Sequence, residues 1–197
     1  MSHYYTNDNN LCHVNKTFAY TYKGNRVEFK SDLGVFSKNN VDFGTHVLIQ
    51  SLPDLNDIKT LLDLGCGVGV IGILLKKAYP NINVTMSDVN LRALDLVKLN
   101  IKKNNTEANV IESSLYDSIS CSFDCIISNP PIRAGKKIVY GIIDGAINHL
   151  NIGGKIYVVI QKKQGAESMM NHMEEVFGNV TIINKEKGYY VLLSERK

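Results

Sequence analysis

A glycine-rich turn between two apolar segments constrains the fold of this chain more than any other feature of its sequence. Residues 61–64, Leu-Leu-Asp-Leu, have the pattern of a buried strand, residues 65–72 contain four glycines, and the apolar residues that follow are typical of a helix. Glycines let the backbone approach a ligand closely, and the start of a helix supplies unpaired N–H groups. This order predicts an α/β protein with a ligand crevice at the carboxyl ends of parallel strands.

The rest of the sequence continues the alternation of strands and helices. We predict strands over residues 60–64, 82–87, 108–112, 123–128, 154–160, 179–184 and 188–193. We predict helices over residues 69–79, 90–104, 137–150 and 165–177. This alternation favours a mostly parallel, Rossmann-like sheet of seven strands with helices on both faces. The last two strands follow each other without a helix, which predicts a C-terminal antiparallel hairpin.

Residues 1–59 have the pattern of an N-terminal extension packed on a core of residues 60–197. Residues 17–22 and 26–30 alternate around Lys23-Gly24-Asn25, which predicts a β-hairpin. A further helix is predicted from about residue 42 to residue 51, before Pro53. Because a length of 197 residues fits one domain of ordinary size, we expect a single domain over residues 1–197.

The composition excludes several classes of protein. Apolar residues make up 44% of the chain and charged residues 21%, which is the balance of a folded globular protein rather than a disordered one. Residues 1–8 have no basic or apolar signal segment, and no stretch reaches the ~18 apolar residues of a membrane span, so we expect a cytoplasmic protein. The four cysteines show no C-x-x-C spacing and the five histidines no paired spacing, so neither a metal site nor a disulfide is predicted.

The segment Ser128-Asn129-Pro130-Pro131, at the end of a predicted strand, indicates methyl transfer to the nitrogen of an NH2 group. A planar NH2 group shares its lone pair with the neighbouring π-system and is therefore a poor nucleophile. Two acceptors, the side-chain oxygen of Asn129 and the carbonyl of Pro130, favour the pyramidal, positively charged nitrogen that develops as a methyl group arrives. The prolines stiffen these acceptors and offer no N–H of their own. The alternative is an ordinary turn after a strand.

The glycine turn predicts a nucleotide-like cofactor without choosing one. Residues 67–72 satisfy the pattern G-x-G-x-x-G, which suits both NAD and S-adenosylmethionine. Asp88 lies at the end of the next predicted strand, where an acid accepts from ribose hydroxyls with either cofactor. The alternative is an acid at the start of a helix. Asp63 before the glycines, the C-terminal hairpin and above all Asn-Pro-Pro favour the methyl donor, because a dehydrogenase has no evident use for a pair of amine acceptors.

Positive charge is concentrated in one part of the sequence. The whole chain has a formal charge of +3, whereas residues 129–163 contain six basic residues and a single acid, Asp144. The five that follow the ends of predicted strands, which we call the basic rim, are Arg133, Lys136, Lys137, Lys162 and Lys163. Each lysine alone could be a solvated surface charge, but together the five are expected to border the crevice and to contact phosphate.

Four ordered motifs resemble those of class I S-adenosylmethionine-dependent methyltransferases. They are Asp63-Leu64-Gly65-Cys66-Gly67-Val68-Gly69, Ser87-Asp88-Val89, residues 123–131 and residues 150–155. Upstream, residues 34–37 and 42–45 resemble the N-terminal segment of the small methyltransferase-domain group, which includes bacterial 16S ribosomal RNA guanine-N2 methyltransferases. The resemblance covers about residues 4–195 and implies a seven-stranded sheet with the cofactor over the ends of its first four strands.

The same resemblance implies roles for individual residues and S-adenosylmethionine as the cofactor. It implies cofactor contacts for Phe36, Ser37, Asp63, Gly65, Cys66, Gly67, Gly69, Asp88, Val89, Ser114, Leu115 and Asn129. It places Asp88 at the ribose and Val89 on the adenine face. It implies catalytic positions for Asn129, Pro130, Pro131 and Ile132. Ile132 stands where relatives commonly carry an aromatic residue, and it offers an apolar contact instead.

The expected function is methyl transfer to an exocyclic NH2 group, that of guanine N2 in ribosomal RNA. The expected partner is ribosomal RNA or a small-subunit assembly intermediate, the basic rim is its binding surface, and no oligomeric state is predicted. The same acceptor pair also suits the amide of a protein glutamine or N6 of adenine. Outside enzymes, the alternative is an RNA-binding module with a vestigial cofactor pocket.

Overall fold

The computed structural model describes residues 16–32 and 40–197. Within this part of the chain, two strands form a small separate sheet and seven form the central one. The strands are β1 (Lys16–Tyr22), β2 (Asn25–Ser31), β3 (Thr60–Leu64), β4 (Asn83–Asp88), β5 (Asn109–Glu112), β6 (Phe123–Ser128), β7 (Leu150–Gln161), β8 (Thr181–Glu186) and β9 (Tyr189–Glu195). The helices are α1 (Phe43–Ser51), α2 (Val70–Ala78), α3 (Leu91–Lys103), α4 (Lys136–His149) and α5 (Ala166–Phe177).

The central sheet has the strand order β5-β4-β3-β6-β7-β9-β8. Strands β3 to β7 pair in parallel, whereas β9 pairs antiparallel with both β7 and β8. The predicted fold class, a Rossmann-like α/β sheet of seven strands with an antiparallel C-terminal hairpin and an N-terminal hairpin, is confirmed. The strand order reverses between β3 and β6, and such a switch point opens a crevice at the carboxyl ends of these strands.

Both hairpins are closed by tight two-residue turns. Lys23 and Gly24 have φ angles of 45° and 78°, and Tyr22 pairs directly with Asn25. Lys187 and Gly188 repeat this geometry, with φ angles of 44° and 82°. Turns with two positive φ angles match the right-handed twist of paired strands. The C-terminal turn therefore lies at residues 187–188, and β8 extends two residues beyond the predicted boundary at residue 184.

The strand β7 begins at Leu150, four residues before the predicted start at residue 154. Leu150 pairs with Phe123, and the register then shifts before Cys125 pairs with Lys155. Gly153, with a φ of 77°, lies in this irregular stretch, and its N–H donates to the carbonyl of Arg196 at 2.7 Å. A bulge of this kind lets a strand continue through glycines that the sequence pattern alone reads as a turn.

Alternate residues of the strands supply two apolar clusters, one on each face of the sheet. Leu61 belongs to the cluster that contains α1, α2, α3 and the N-terminal hairpin. Leu62 belongs to the cluster that contains α4 and α5. Because successive strand side chains point to opposite faces, a strand buried on both sides reads as a continuous apolar run. The predicted placement of helices on both faces is therefore confirmed.

The N-terminal hairpin is attached to α3 by two side-chain amides. Asn100 accepts from the Lys30 N–H at 2.7 Å and donates to the Lys30 carbonyl at 3.0 Å. Asn104, one helical turn later, bonds in the same way to the N–H and carbonyl of Glu28, at 3.0 and 2.8 Å. The two asparagine amides thus bond the outer backbone groups of β2 that a third strand would otherwise bond.

Candidate active site

A cavity of about 290 Å³ lies at the switch point between β3 and β6. The strand ends contribute Leu64 at the end of β3, Asp88 at the end of β4, Ser113 after β5 and Asn129 after β6. The remaining lining comes from Gly65, Gly67, Val89, Ala93, Ser114, Leu115, Pro130, Pro131, Ala134, Ile138 and Ile142. The size lies near the lower end of the ~300–1,000 Å³ typical of small-molecule sites. The cavity is therefore where the topology predicts a ligand crevice.

The glycine turn forms one wall of this cavity. The backbone N–H groups of Gly65 and Cys66 both donate to the Ser87 carbonyl at 2.9 Å, which ties the turn to β4. Gly65 has a φ of 74°, and a Cβ built there would meet no protein atom within 4 Å. Because Gly65 lines the cavity, such a Cβ would take up space that a ligand can fill. This backbone fits close approach by a cofactor.

Three predicted cofactor residues, Asp63, Cys66 and Gly69, are not among the residues that line the cavity. Asp63 is fully buried, and its Oδ2 accepts from the Gly72 N–H at 2.8 Å, whereas its Oδ1 has no hydrogen-bond partner. Burial raises the pKa of the Asp63 carboxyl to about 7. Burial also raises the pKa of the Cys66 thiol. Gly69 begins α2, and a Cβ there would press against Ile73 at 3.1 Å.

Asp88 is bonded next to the start of α3 and also lines the cavity. Its Oδ1 accepts from the N–H of Asn90 at 2.9 Å, next to the start of α3, and its Oδ2 accepts from the N–H of Gly67 at 2.8 Å. The same carboxylate lines the cavity. Burial raises its pKa, and the backbone donors Asn90, Gly67 and Val89 oppose that shift. Since each carboxylate oxygen has two acceptor sites, Asp88 can also accept from a ligand hydroxyl.

Val89, Ser114 and Leu115 form a further part of the lining. Val89 is 38% exposed, which is high for a large apolar residue and leaves its side chain available to a flat, apolar ligand group. Leu115 has a φ of 52°, a conformation that non-glycine residues rarely adopt. The Ser113 hydroxyl donates to the Leu115 carbonyl at 2.9 Å and stabilises this turn.

Asn129, Pro130 and Pro131 line the cavity beside the glycine turn. The hydroxyl of the preceding residue, Ser128, donates to the Leu64 carbonyl at 2.8 Å, so the ends of β6 and β3 are joined at this point. The structure thus brings the Asn-Pro-Pro segment, Gly65, Gly67 and Asp88 around one cavity. Ile132 lies apart from them, in a short 3-10 turn that faces a second cavity of about 230 Å³ between α4 and α5.

Two polar residues from the segment 42–45, to which sequence reasoning gave no role in the site, contact Asn129. Its Nδ2 lies 3.2 Å from both carboxylate oxygens of Asp42 and donates to Thr45 Oγ1 at 2.9 Å. Asp42 is also the N-cap of α1, where its Oδ1 accepts from the N–H groups of Gly44 and Thr45. The pattern Asp-x-x-Thr before an apolar run is a capping signal, but nothing in it identifies the partner across the site.

The basic rim lies at the carboxyl end of the sheet, but none of its five residues is among those that line the cavity. Arg133 is in the 3-10 turn after β6, Lys136 and Lys137 begin α4, and Lys162 and Lys163 follow β7. All five side chains belong to exposed residues. The Lys136 ammonium also lies 4.7 Å from the centroid of the Tyr140 ring.

Phe36 and Ser37, two further predicted cofactor residues, lie outside the described residues. Within residues 16–32 and 40–197, no cluster of three or more histidine, cysteine or acidic side chains could hold a metal ion. No helix in the same ranges has the length and apolar character to cross a membrane.

Comparison with known proteins agrees with this geometry. Residues 26–193 match the family model of the methyltransferase small domain. The chain is 38% identical to the uncharacterized protein YbxB of Bacillus subtilis, over 98% of both sequences. It is 32% identical to ribosomal RNA small subunit methyltransferase C of Psychromonas ingrahamii, over 90% of this chain and 51% of that protein. The chain therefore spans about half the length of the ribosomal RNA methyltransferase that it matches.

Among solved structures, a close match is the Thermus thermophilus 16S rRNA N2 G1207 methyltransferase (RsmC), described in complex with AdoMet and guanosine. The TM-score is 0.83 at 23% identity, over 92% of this chain and 50% of that one, which shows a shared fold. The matched family confirms the expected class of enzyme, a methyltransferase with S-adenosylmethionine as its cofactor. From its sequence motifs, its fold and its match over residues 26–193, the chain belongs to the methyltransferase small domain family.

Proposed function

We propose that this protein transfers a methyl group from S-adenosylmethionine to the exocyclic N2 of a guanine in small-subunit ribosomal RNA. The observation that carries the proposal is that Asn129 and Pro130 line the same cavity as Gly65, Gly67 and Asp88. An acceptor pair for an NH2 group and a backbone cradle for a cofactor are thus adjacent. That residues 1–197 form a single methyltransferase domain remains a prediction.

Asp88, Val89 and the glycine turn would hold the cofactor in this cavity. Asp88 offers carboxylate acceptors for hydroxyl groups, Val89 an exposed apolar surface, and Gly65 a wall without a side chain. When bound, S-adenosylmethionine supplies an electrophilic methyl group. The residues lie at the ends of neighbouring strands, and such ends bind nucleotide-like ligands in open parallel sheets.

Asn129 and Pro130 would act on the amine. Their oxygens accept its two N–H bonds and stabilise the positive charge that develops on nitrogen during transfer. Neither Pro130 nor Pro131 has an N–H, so no backbone donor competes with the amine at these positions. No strong base is needed, because the alkylated nitrogen loses its proton readily. Alignment of the two reactants in the cavity then supplies most of the acceleration.

The basic rim and the relatives support RNA as the substrate. Five exposed cations lie at the end of the sheet where the cavity opens, and such a cluster suits a phosphate backbone. The related protein of Psychromonas ingrahamii is named a ribosomal RNA small subunit methyltransferase. We therefore propose a ribosomal RNA or a small-subunit assembly intermediate as the partner, and the cytoplasm as the location.

The test is methylation of unmodified 16S ribosomal RNA transcript by the purified protein with labelled S-adenosylmethionine. Nucleosides from the product are then separated by mass spectrometry. We expect label in N2-methylguanosine. Label in N6-methyladenosine would show that adenine N6, and not guanine N2, is the methylated position. Absence of label in RNA, together with label in a glutamine-bearing protein, would replace it with protein methylation.

A further inference from the structure

The side-chain NH2 group of Asn129 is hydrogen-bonded to residues at the start of α1. Asp42 and Thr45, at the start of that helix, contact the Asn129 Nδ2 atom at distances of 3.2 and 2.9 Å. Thr45 Oγ1 in turn donates to Asp42 Oδ2, so the three side chains form a closed network. Thr45 is 4% exposed, whereas Asp42 and Asn129 are half-buried.

This network fixes which end of the Asn129 amide faces the cavity. A carboxylate can only accept, so the group of Asn129 beside Asp42 has to be the NH2 end. The Nδ2 atom of Asn129 has three acceptors within 3.2 Å, which are Thr45 Oγ1 and the two carboxylate oxygens of Asp42. The NH2 end is therefore bonded to α1, which leaves the amide oxygen for the cavity that Asn129 lines.

We propose that Asp42 and Thr45 are positioning residues that keep the Asn129 oxygen, and not its NH2 group, directed at the reacting amine. This inference rests on the proposed function. A flipped amide would present N–H donors to a substrate NH2 group, and two donors repel each other while the developing positive charge loses an acceptor. The orientation of one amide therefore decides whether this part of the site attracts or repels the substrate.

The substitution Asp42→Asn tests the orientation without removing the helix cap. Asparagine caps helices about as well as aspartate, and its oxygen would stay on the N–H groups of Gly44 and Thr45. Its NH2 group would then replace Oδ2 and face the NH2 group of Asn129. The Asn129 amide can relieve that donor–donor contact by turning over, and we expect this reorientation. We expect kcat to fall about 10²–10³-fold, as for loss of one transition-state hydrogen bond, with little change in melting temperature.

The exchanged pair Asp42→Asn with Asn129→Asp provides a rescue. In this double variant the amide lies on α1 and the carboxylate lies in the cavity, so an acceptor again faces the amine. We expect the double variant to recover roughly tenfold over Asp42→Asn, within the coupling found for contacting residues. A merely structural role for Asp42 predicts no such recovery. Asn129→Asp alone would place two carboxylates in contact and should be the less stable of the single variants.

Thr45 supplies a matched pair of smaller changes. Thr45→Ser keeps the hydroxyl that accepts from Asn129, whereas Thr45→Val keeps the shape and removes it. We expect a larger fall in kcat for valine than for serine, with similar affinity of both for S-adenosylhomocysteine. Equal rates for the two variants would remove Thr45 from the proposal.

The orientation itself can be measured without any substrate. In the ¹⁵N-labelled protein, the side-chain NH2 protons of Asn129 should exchange slowly with solvent because they are bonded to Asp42 and Thr45. In Asp42→Asn they should exchange faster, since the NH2 group then faces the open cavity. Unchanged exchange in that variant would overturn the proposal even if the wild type methylated RNA. Slow exchange in a wild type that methylates no RNA would instead leave the positioning intact and contradict the proposed function.

Discussion

The backbone N–H of Gly67 donates to Asp88 Oδ2 at 2.8 Å and so connects the glycine turn directly to the end of β4. The other carboxylate oxygen accepts from the N–H of Asn90 at 2.9 Å. Asp88 is thus held in place by backbone donors from the glycine turn and from the start of α3. A carboxylate fixed in this way loses little rotamer freedom when a ligand hydroxyl binds to it, which favours tight and selective binding.

Asp88→Ala should therefore weaken cofactor binding while leaving the fold intact. Hydrogen bonds to a charged group contribute roughly 1.5–3 kcal/mol, so the affinity for S-adenosylhomocysteine should fall about ten- to a hundredfold. Titration calorimetry on wild type and variant measures the change, and circular dichroism checks the fold. An unchanged dissociation constant would remove Asp88 from the site.

Asn129→Ala should abolish turnover and have little effect on cofactor affinity. The acceptor acts mainly as the nitrogen becomes pyramidal, so its loss should lower kcat rather than binding of S-adenosylhomocysteine. Single-turnover rates with labelled cofactor and RNA transcript give the first quantity, and calorimetry gives the second. If the variant methylates at the wild-type rate, the acceptor mechanism is wrong.

Asp63→Asn should stabilise the protein increasingly as the pH rises. The Asp63 pKa is raised by burial to about 7 in the folded chain, against about 3.9 in an unfolded one. Below about pH 4 the carboxyl is protonated in both states and carries no penalty. Between about pH 4 and pH 7 it ionises only in the unfolded chain, which lowers the free energy of unfolding by up to about 1.4 kcal/mol per pH unit. Above about pH 7 the penalty is constant.

Asparagine at position 63 can still accept from Gly72 and does not ionise. Urea unfolding of both proteins without cofactor, from pH 4 to pH 8, should show a stability difference that grows to about pH 7 and then levels off. A difference that is constant across this range would mean that the Asp63 carboxyl does not titrate there.

Replacement of Lys136 and Lys137 by glutamine should make RNA binding less sensitive to salt. For a single strand, the slope of log affinity against log salt is about −0.7 per contacted phosphate, so the loss of two contacts should make it shallower by roughly 1.4. Fluorescence anisotropy at several salt concentrations measures this slope. Lys59→Gln with Lys102→Gln is the control, because these exposed lysines lie before β3 and at the end of α3, at the amino end of the sheet. Equal slopes for the two double variants would exclude Lys136 and Lys137 as phosphate contacts.

The part of the site that could be predicted from the sequence is the part that lies at strand ends. Asp88 and Asn129 each end or follow a parallel strand, and parallel strands place their carboxyl ends at one edge, so their proximity follows from strand order alone. Asp63 lies within a strand that is buried on both faces. A continuous apolar run does not tell which face a side chain takes. The structure places its carboxylate on the Gly72 N–H, under the turn.

Asp42 could be predicted as a helix cap but not as a partner of Asn129. The two residues are 87 positions apart, and their contact depends on how α1 packs against the sheet. Neither residue type nor spacing encodes that packing. Local signals therefore gave the elements and their order, whereas contacts between distant polar side chains required the structure.

The asparagine pair on α3 also limits which backbone groups of β2 are available to a strand of another chain. A two-stranded sheet exposes N–H and carbonyl groups along each outer strand, and such an edge is a template for a strand from another copy. Asn100 and Asn104 occupy these groups at Lys30 and Glu28, so this side of β2 has no free ladder to offer there. These two helix side chains therefore disfavour edge-to-edge pairing of β2 with another copy at Glu28 and Lys30.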